Sequence, residues 1–277
     1  MNAPPDSISA LPLPIARARP VFLRRSQRYW LLSWLVPLLV FVLWEASSQL
    51  GWIRKQVMPS PSAVLLTAWD MTLSGELLRH LGASLLRAAG GFFVGGLLGF
   101  GLGVLTGFSP LAHALFDRIV QMVRAIPFLA LLPLVIVWFG VDESGKIFLV
   151  SLAVFFPIYI NTGLGIRQID PKLLEVARVT RLTRWDTVRR IVLPGAMPSV
   201  LTGVRYSLAT AWLALVIAET LATTVGIGFL NTDAREFLQT DIIVLTVIIY
   251  AAIGVGADAI ARALEHRFLA WHPNYAR

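Results

Sequence analysis

From Gly165 to Pro198 the chain reads GIRQIDPKLLEVARVTRLTRWDTVRRIVLPGAMP, an island of charge between two long apolar runs. Asp170-Pro171 predicts a helix start: the aspartate offers a side-chain acceptor at the N-cap, and the proline at N1 has no N–H to lose. Leu173, Leu174, Ala177 and Thr180 share one stripe of that helix, with Glu175, Arg178 and Arg181 toward another. Thr183 predicts the cap of a second short helix, in which Trp185, Val188 and Ile191 are interspersed with Arg184, Asp186, Arg189 and Arg190. Pro194 is expected to stop that helix and Gly195 to permit a turn into the next apolar run. Two short amphipathic helices held this way either lie on lipid or dock in the groove of a partner with Trp185 as anchor. Residue spacing alone favours neither.

The flanking runs, 147–166 and 201–222, are each long enough to cross a bilayer, which takes about 20 apolar residues. Four more runs qualify at 30–48, 86–107, 124–140 and 242–261. The third is the shortest without interruption, because Arg124 and Pro127 leave only Phe128 to Phe139 clear. Composition agrees: 56% of the chain is hydrophobic and 14% charged, against about 25% charged in soluble domains. Mean hydropathy is +0.71. Too little polar sequence remains to cover so many apolar helices in water. The first run is too long for a cleaved signal and ends in no small-residue cleavage site. The expected fold is an all-α polytopic membrane protein of six transmembrane helices. A tail, 1–28, precedes one transmembrane domain, 29–277, which carries the polar loop 167–198.

The 24 Lys and Arg residues outnumber the 16 Asp and Glu. Eighteen of those basic residues fall on one side of the six runs: the N-terminal tail with Arg17, Arg19, Arg24, Arg25 and Arg28, the second and fourth connections, Arg205, and the C-terminal tail. Arg54, Lys55, Arg79, Arg87, Lys146 and Arg235 fall on the other. Positive residues stay cytoplasmic, so both termini are predicted inside. Topology thus accounts for the basic balance, and nucleic-acid binding is not expected. The lack of cysteine removes thiolate catalysis and Cys-ligated metal sites. His80, His113, His266 and His272 form no compact ligand spacing, so no metal site is expected.

Within the second run, Gly91, Gly95, Gly99, Gly103 and Gly107 recur every fourth residue and share one helical face, which Gly96 and Gly101 widen. A face without Cβ atoms lets another backbone approach closely, as static packing or as a sliding interface. Few charges enter the runs. Glu45, beside Trp44, reads as structural. Glu219 has two readings, an interhelical hydrogen-bond partner or a residue near a translocation path. Pro127, Pro133 and Pro157 each remove a backbone donor, and such bends either shape a bundle or line a path. Gly140-Val-Asp-Glu-Ser-Gly145-Lys146 imitates a phosphate loop, but Ile147 follows where a Ser or Thr is needed. A tight turn between two runs is expected there instead.

Glu175-Val176-Ala177, then Arg181, then Ile191-Val192-Leu193-Pro194 resembles the loop of type I ABC-importer permeases: E-A-A, three residues, Gly, nine residues, I-x-L-P. The spacing matches throughout. Val176 replaces the first Ala, and Arg181 stands where that family usually has Gly. A left-handed turn at Arg181 would cost about 1 kcal/mol. Trp44-Glu45, Pro59-Ser60-Pro61, Arg124 to Pro127, Leu132-Pro133-Leu134, Trp138-Phe139-Gly140, Phe156-Pro157, Asn161-Thr162, Ala218-Glu219, Gly226-Ile227-Gly228 and Trp271 are similar to the sulfonate, taurine and nitrate branch.

The resemblance implies a type I ABC importer permease fold in the bacterial inner membrane. It implies a homodimer with the path between the copies, a periplasmic solute-binding protein and a cytoplasmic ABC ATPase dimer. The loop residues Glu175, Ala177, Arg181, Trp185, Arg189, Ile191, Leu193 and Pro194 would then couple to the ATPase. Mg-ATP would sit on that partner, no cofactor on this chain, and this chain would catalyse nothing. The implied cargo is a small oxyanion or organic acid such as a sulfonate, taurine or nitrate, with a nitrogen-containing small molecule as the alternative. An ion-gradient-driven transporter would be expected to carry an intramembrane relay of acids and histidines, and a membrane enzyme a cluster of reactive groups. The runs show neither.

Overall fold

The computed structural model describes residues 26–54, 56–220 and 223–271. The predicted tail as far as residue 25, with Arg17, Arg19, Arg24 and Arg25, lies outside them, as do Lys55, His272 and Arg277. Among the described residues there are helices and no strands. Five helices are long and apolar enough to span: α1 (Ser26–Gln49), α3 (Glu76–Phe108), α6 (Glu143–Arg167), α9 (Leu193–Glu219) and α11 (Thr240–Phe268). The sixth candidate is a pair, α4 (Pro110–Arg124) and α5 (Phe128–Phe139), bent by 99° at their junction. The predicted span 124–140 is therefore corrected: Arg124 ends one helix and Pro127 caps the next. The run from Arg124 to Pro127 breaks the helix because the proline excludes helical backbone from the residue before it.

Two further helices were not foreseen. One is α2 (Pro61–Leu73), between the first two spans; the other is α10 (Ile227–Glu236), between the last two. The start signal of α2 is explicit, since the Ser60 hydroxyl accepts from the Ala63 amide at 3.3 Å and Pro61 fills N1. The Trp44 indole donates to the Pro59 carbonyl at 3.0 Å, and Glu45 accepts from the Ser62 amide and hydroxyl at 3.1 and 2.8 Å. Glu45 is structural, as expected: it ties α1 to the start of α2, where a carboxylate meets unpaired amides.

The bundle is built around α6, with α3 against one side and α9 against another. Every glycine of the four-residue repeat faces α6. A Cβ at Gly95 would stand 2.1 Å from the Ser151 carbonyl oxygen, at Gly99 2.6 Å from that of Phe155, and at Gly103 2.8 Å from that of Tyr159. At Gly91 and Gly107 it would strike Val150 and Ile166. Backbone thus meets backbone from Gly91 to Gly103, the contact that small residues permit in lipid. Gly101 does not join this face, because a Cβ there meets nothing within 4 Å. On the α9 side, Gly165 and Gly203 allow the same approach, and Val150, Val154, Ile158, Ala211 and Leu215 fill the core.

Pro157 interrupts the hydrogen bonds of α6 and so frees the carbonyl of Ala153. The Thr210 hydroxyl of α9 donates to that carbonyl at 3.2 Å, repairing the gap across the interface. The turn at 140–142 is tight, with Gly140 at φ +70°, as the sequence predicts.

Candidate functional site

The polar loop folds as two helices, α7 (Pro171–Val179) and α8 (Arg184–Thr187). Asp170 caps α7 through the Lys172 amide at 2.9 Å, and the Thr183 hydroxyl caps α8 through the Asp186 amide at 3.1 Å. Between them the Arg181 amide reaches the Arg178 carbonyl at 3.1 Å, and the Leu182 amide reaches Ala177 at 2.9 Å. That pair of bonds is a Schellman ending, and its left-handed position is Arg181 at φ +52°. The turn forms without glycine and carries the strain of a Cβ at positive φ.

The expected stop at Pro194 does not occur. Helical backbone continues from Arg184 through a π turn, Val188–Val192, into α9, with Pro194 in the first turn of α9. The Leu193 amide bonds back to the Val188 carbonyl, five residues away. This wider turn absorbs the residue at which proline has no N–H to give. Gly195 consequently makes no turn.

Of the loop's predicted contact residues, Glu175, Trp185, Arg189 and Leu193 are exposed, Ile191 and Pro194 are half-buried, and Ala177 is buried. Trp185 is 71% exposed and Val179 83%. With Leu173 and Val176 they leave an apolar surface uncovered. The exposed apolar stripe of α7 is Leu173, Val176 and Val179; of the stripe read from the sequence, Ala177 is turned inward and Leu174 half-buried. Val176 and Val179 sit three residues apart and were legible as a second stripe.

At the opposite end of the bundle, Glu219 is 2% exposed and accepts from three donors. Ser84 reaches it at 2.8 Å, the Arg87 guanidinium at 2.7 Å and the Gly228 amide at 2.9 Å, the serine bridging both carboxylate oxygens. Arg87 also forks onto Glu143, which Lys146 meets at 3.0 Å. The Gly226 amide donates to His80 at 3.0 Å and the Ile227 amide to Ser84 at 2.9 Å. A side chain at Gly226, where φ is +142°, would lie 2.6 Å from the Glu219 carboxylate. Glu219 thus fastens the start of α10 to α3 as an interhelical clamp. Sequence reasoning missed Arg87, Ser84 and His80 as its partners; their spacing of three and four residues on α3 was the available signal.

Midway along α6 a cleft of about 570 Å³ opens between α5, α6 and α9. Pro157 lines it, beside Phe128 and Phe156, with Arg124, Asn161, Tyr206 and Thr210 as its polar groups; the Thr210 hydroxyl is spent on the Ala153 carbonyl. Pro127 lies at the α4–α5 bend and Pro133 within α5; neither lines the cleft.

Residues 76–270 match the family model described as binding-protein-dependent transport system inner membrane component. The chain is 47% identical over 249 residues to the aliphatic sulfonates transport permease protein SsuC of Escherichia coli, covering 89% of this chain and 95% of that one. It is 33% identical to the taurine transport system permease protein TauC of the same organism, covering 90% and 94%. In fold it is similar to a chain of the MetNI methionine ABC transporter in an inward-facing conformation, with TM-score 0.54 and 22% identity, over 69% of this chain and 97% of the other.

Proposed function

We infer that this chain, which belongs to the family of binding-protein-dependent transport system inner membrane components, is the membrane-spanning permease of an ATP-driven importer for aliphatic sulfonates. The uncovered apolar surface of α7 and α8 carries the coupling half of this reading. A folded loop that caps both its helices yet leaves Trp185 and Val179 bare has the form of a docking element. Its partner is a cytoplasmic ABC ATPase dimer that holds Mg-ATP, and this chain itself performs no hydrolysis. The excess of basic residues on the loop's side supports a cytoplasmic position for the loop and both termini. The Glu219 clamp then lies at the periplasmic end, where a solute-binding protein delivers cargo. Two copies of the chain enclose the path.

The relatives named for sulfonate and taurine transport support the cargo class. The test is reconstitution of the permease with its ATPase and binding protein in proteoliposomes. ATP-dependent uptake of radiolabelled ethanesulfonate is the expected result. Uptake that continues without the ATPase, driven by an ion gradient, would instead support a secondary transporter.

A further inference from the structure

The cleft midway along α6 holds an arginine whose charge the Glu219 clamp and the coupling loop leave unexplained. Helix α4 starts at the loop end of α6, where Arg167 meets His113 at 3.3 Å, and climbs past Tyr159, whose hydroxyl donates to Asp117 at 3.0 Å. Arg124, two turns further on, lines the cleft with Phe156 and Pro157. Counted along α6, those residues stand about 15–20 Å from either end of the helix. Arg124 is thus close to mid-depth of the span, where a cation is costly unless it faces water or an anion. Among the described residues it has no ion-pair partner. The other intramembrane arginines differ: Arg87 is paired with Glu143 and Glu219, and Arg205 with Asp258 and Glu265.

The groups around Arg124 suit one kind of guest. The hydroxyl of exposed Tyr206 is a second donor, and Asn161 is a third. The Asn161 amide spends one N–H on the Pro157 carbonyl at 2.8 Å and keeps the other. No carboxylate lines the cleft, so nothing in it repels an anion. Phe128 and Phe156 form apolar walls beside these donors. A guanidinium offers two parallel N–H groups to two oxygens of one anion. Donors grouped against an apolar wall fit a molecule with an anionic head and a short alkyl body.

We propose that this cleft is the transit site for the cargo, with Arg124 gripping the sulfonate oxygens, Tyr206 and Asn161 completing the hydrogen bonds, and Phe128 and Phe156 receiving the alkyl chain. The proposal rests on the sulfonate-importer reading above. A single cation with neutral donors holds the anion loosely enough for onward release, which a path requires.

The test uses the permease–ATPase–binding-protein complex in proteoliposomes, with ethanesulfonate as probe. Arg124→Gln is expected to lower uptake about tenfold or more, the loss of one charge-assisted pair. Arg124→Lys, which keeps the charge but not the fork, is expected to lose about threefold. Wild-type uptake in Arg124→Gln overturns the site while leaving the importer reading intact. Wild-type complex that takes up no ethanesulfonate or longer alkanesulfonate overturns that reading itself. If Arg124→Gln does not assemble with the ATPase, Arg124→Lys and Tyr206→Phe decide: reduced uptake in both supports the site, and wild-type uptake in both overturns it.

Discussion

At the scale of single residues, Arg181 shows how a motif's geometry outlives its usual residue. The Schellman bonds from Arg181 to Arg178 and from Leu182 to Ala177 are both made, so the turn is fixed by the backbone. The φ of +52° then imposes on arginine the clash that glycine avoids. Relief of that clash, less the extra chain entropy of glycine, predicts that Arg181→Gly stabilises the loop by about 0.5–1 kcal/mol. Hydrogen exchange at the Leu182 amide reads this directly as about two- to fivefold slower exchange. Faster exchange would show that the arginine side chain holds the turn by contacts of its own. The mismatch at position 181 was legible in the sequence, because the spacing on both sides of it was intact. Pro194 was not. Its meaning depended on a π turn, which no spacing of residue types announces.

At the scale of elements, the glycine repeat of α3 was readable as a thin face, because a period of four maps onto one side of a helix. Its partner was not readable: any helix with a smooth flank would have served, and only the fold selects α6. The approach is so close that a Cβ at Gly99 would stand 2.6 Å from the Phe155 carbonyl oxygen, a backbone atom that cannot swing aside. Gly99→Leu is therefore expected to cost at least the 1–3 kcal/mol typical of overpacking, about as much as a buried interface tolerates. Leu98→Ile, one residue away on the exposed side, is expected to cost under 1 kcal/mol. Thermal unfolding in detergent compares the two, and equal midpoints would mean that α3 and α6 part in solution. The break between α4 and α5 was only half legible. Arg124 and Pro127 marked an interruption in an apolar run, but hydropathy has no direction and gave no hint of a 99° bend.

At the scale of the whole molecule, the two ends of the bundle are built for different work. The Glu219 end closes its polar groups on one another: Arg87, Ser84 and the amide of Gly228 all satisfy the same buried carboxylate. The loop end leaves its apolar groups open, with Trp185 the largest of them. Closure ties α3, α9 and α10 together, whereas under the coupling proposal the exposed loop would give a partner a handle on α9 through unbroken helical backbone from Arg184. Membership of the transporter family and the loop's place were legible from motif spacing, whereas the clamp was not, because its α3 members stand 132 to 146 residues from their partners near Glu219 and Gly226. The handle makes a quantitative prediction. If Trp185 is buried only on docking, Trp185→Ala should weaken ATPase binding by about 2 kcal/mol, roughly thirtyfold, as truncation of an aromatic anchor does. Glu175→Ala, at an exposed position of α7, should weaken it by less, about 1 kcal/mol for one exposed charged contact. Neither change touches an apolar span, so membrane insertion should be unaltered. Binding of purified ATPase to inverted and right-side-out vesicles measures both affinity and side. Saturable binding to inverted vesicles alone, weakened by Trp185→Ala, is the expected outcome. Unweakened binding would free the loop from the coupling role and leave its apolar face to the lipid surface.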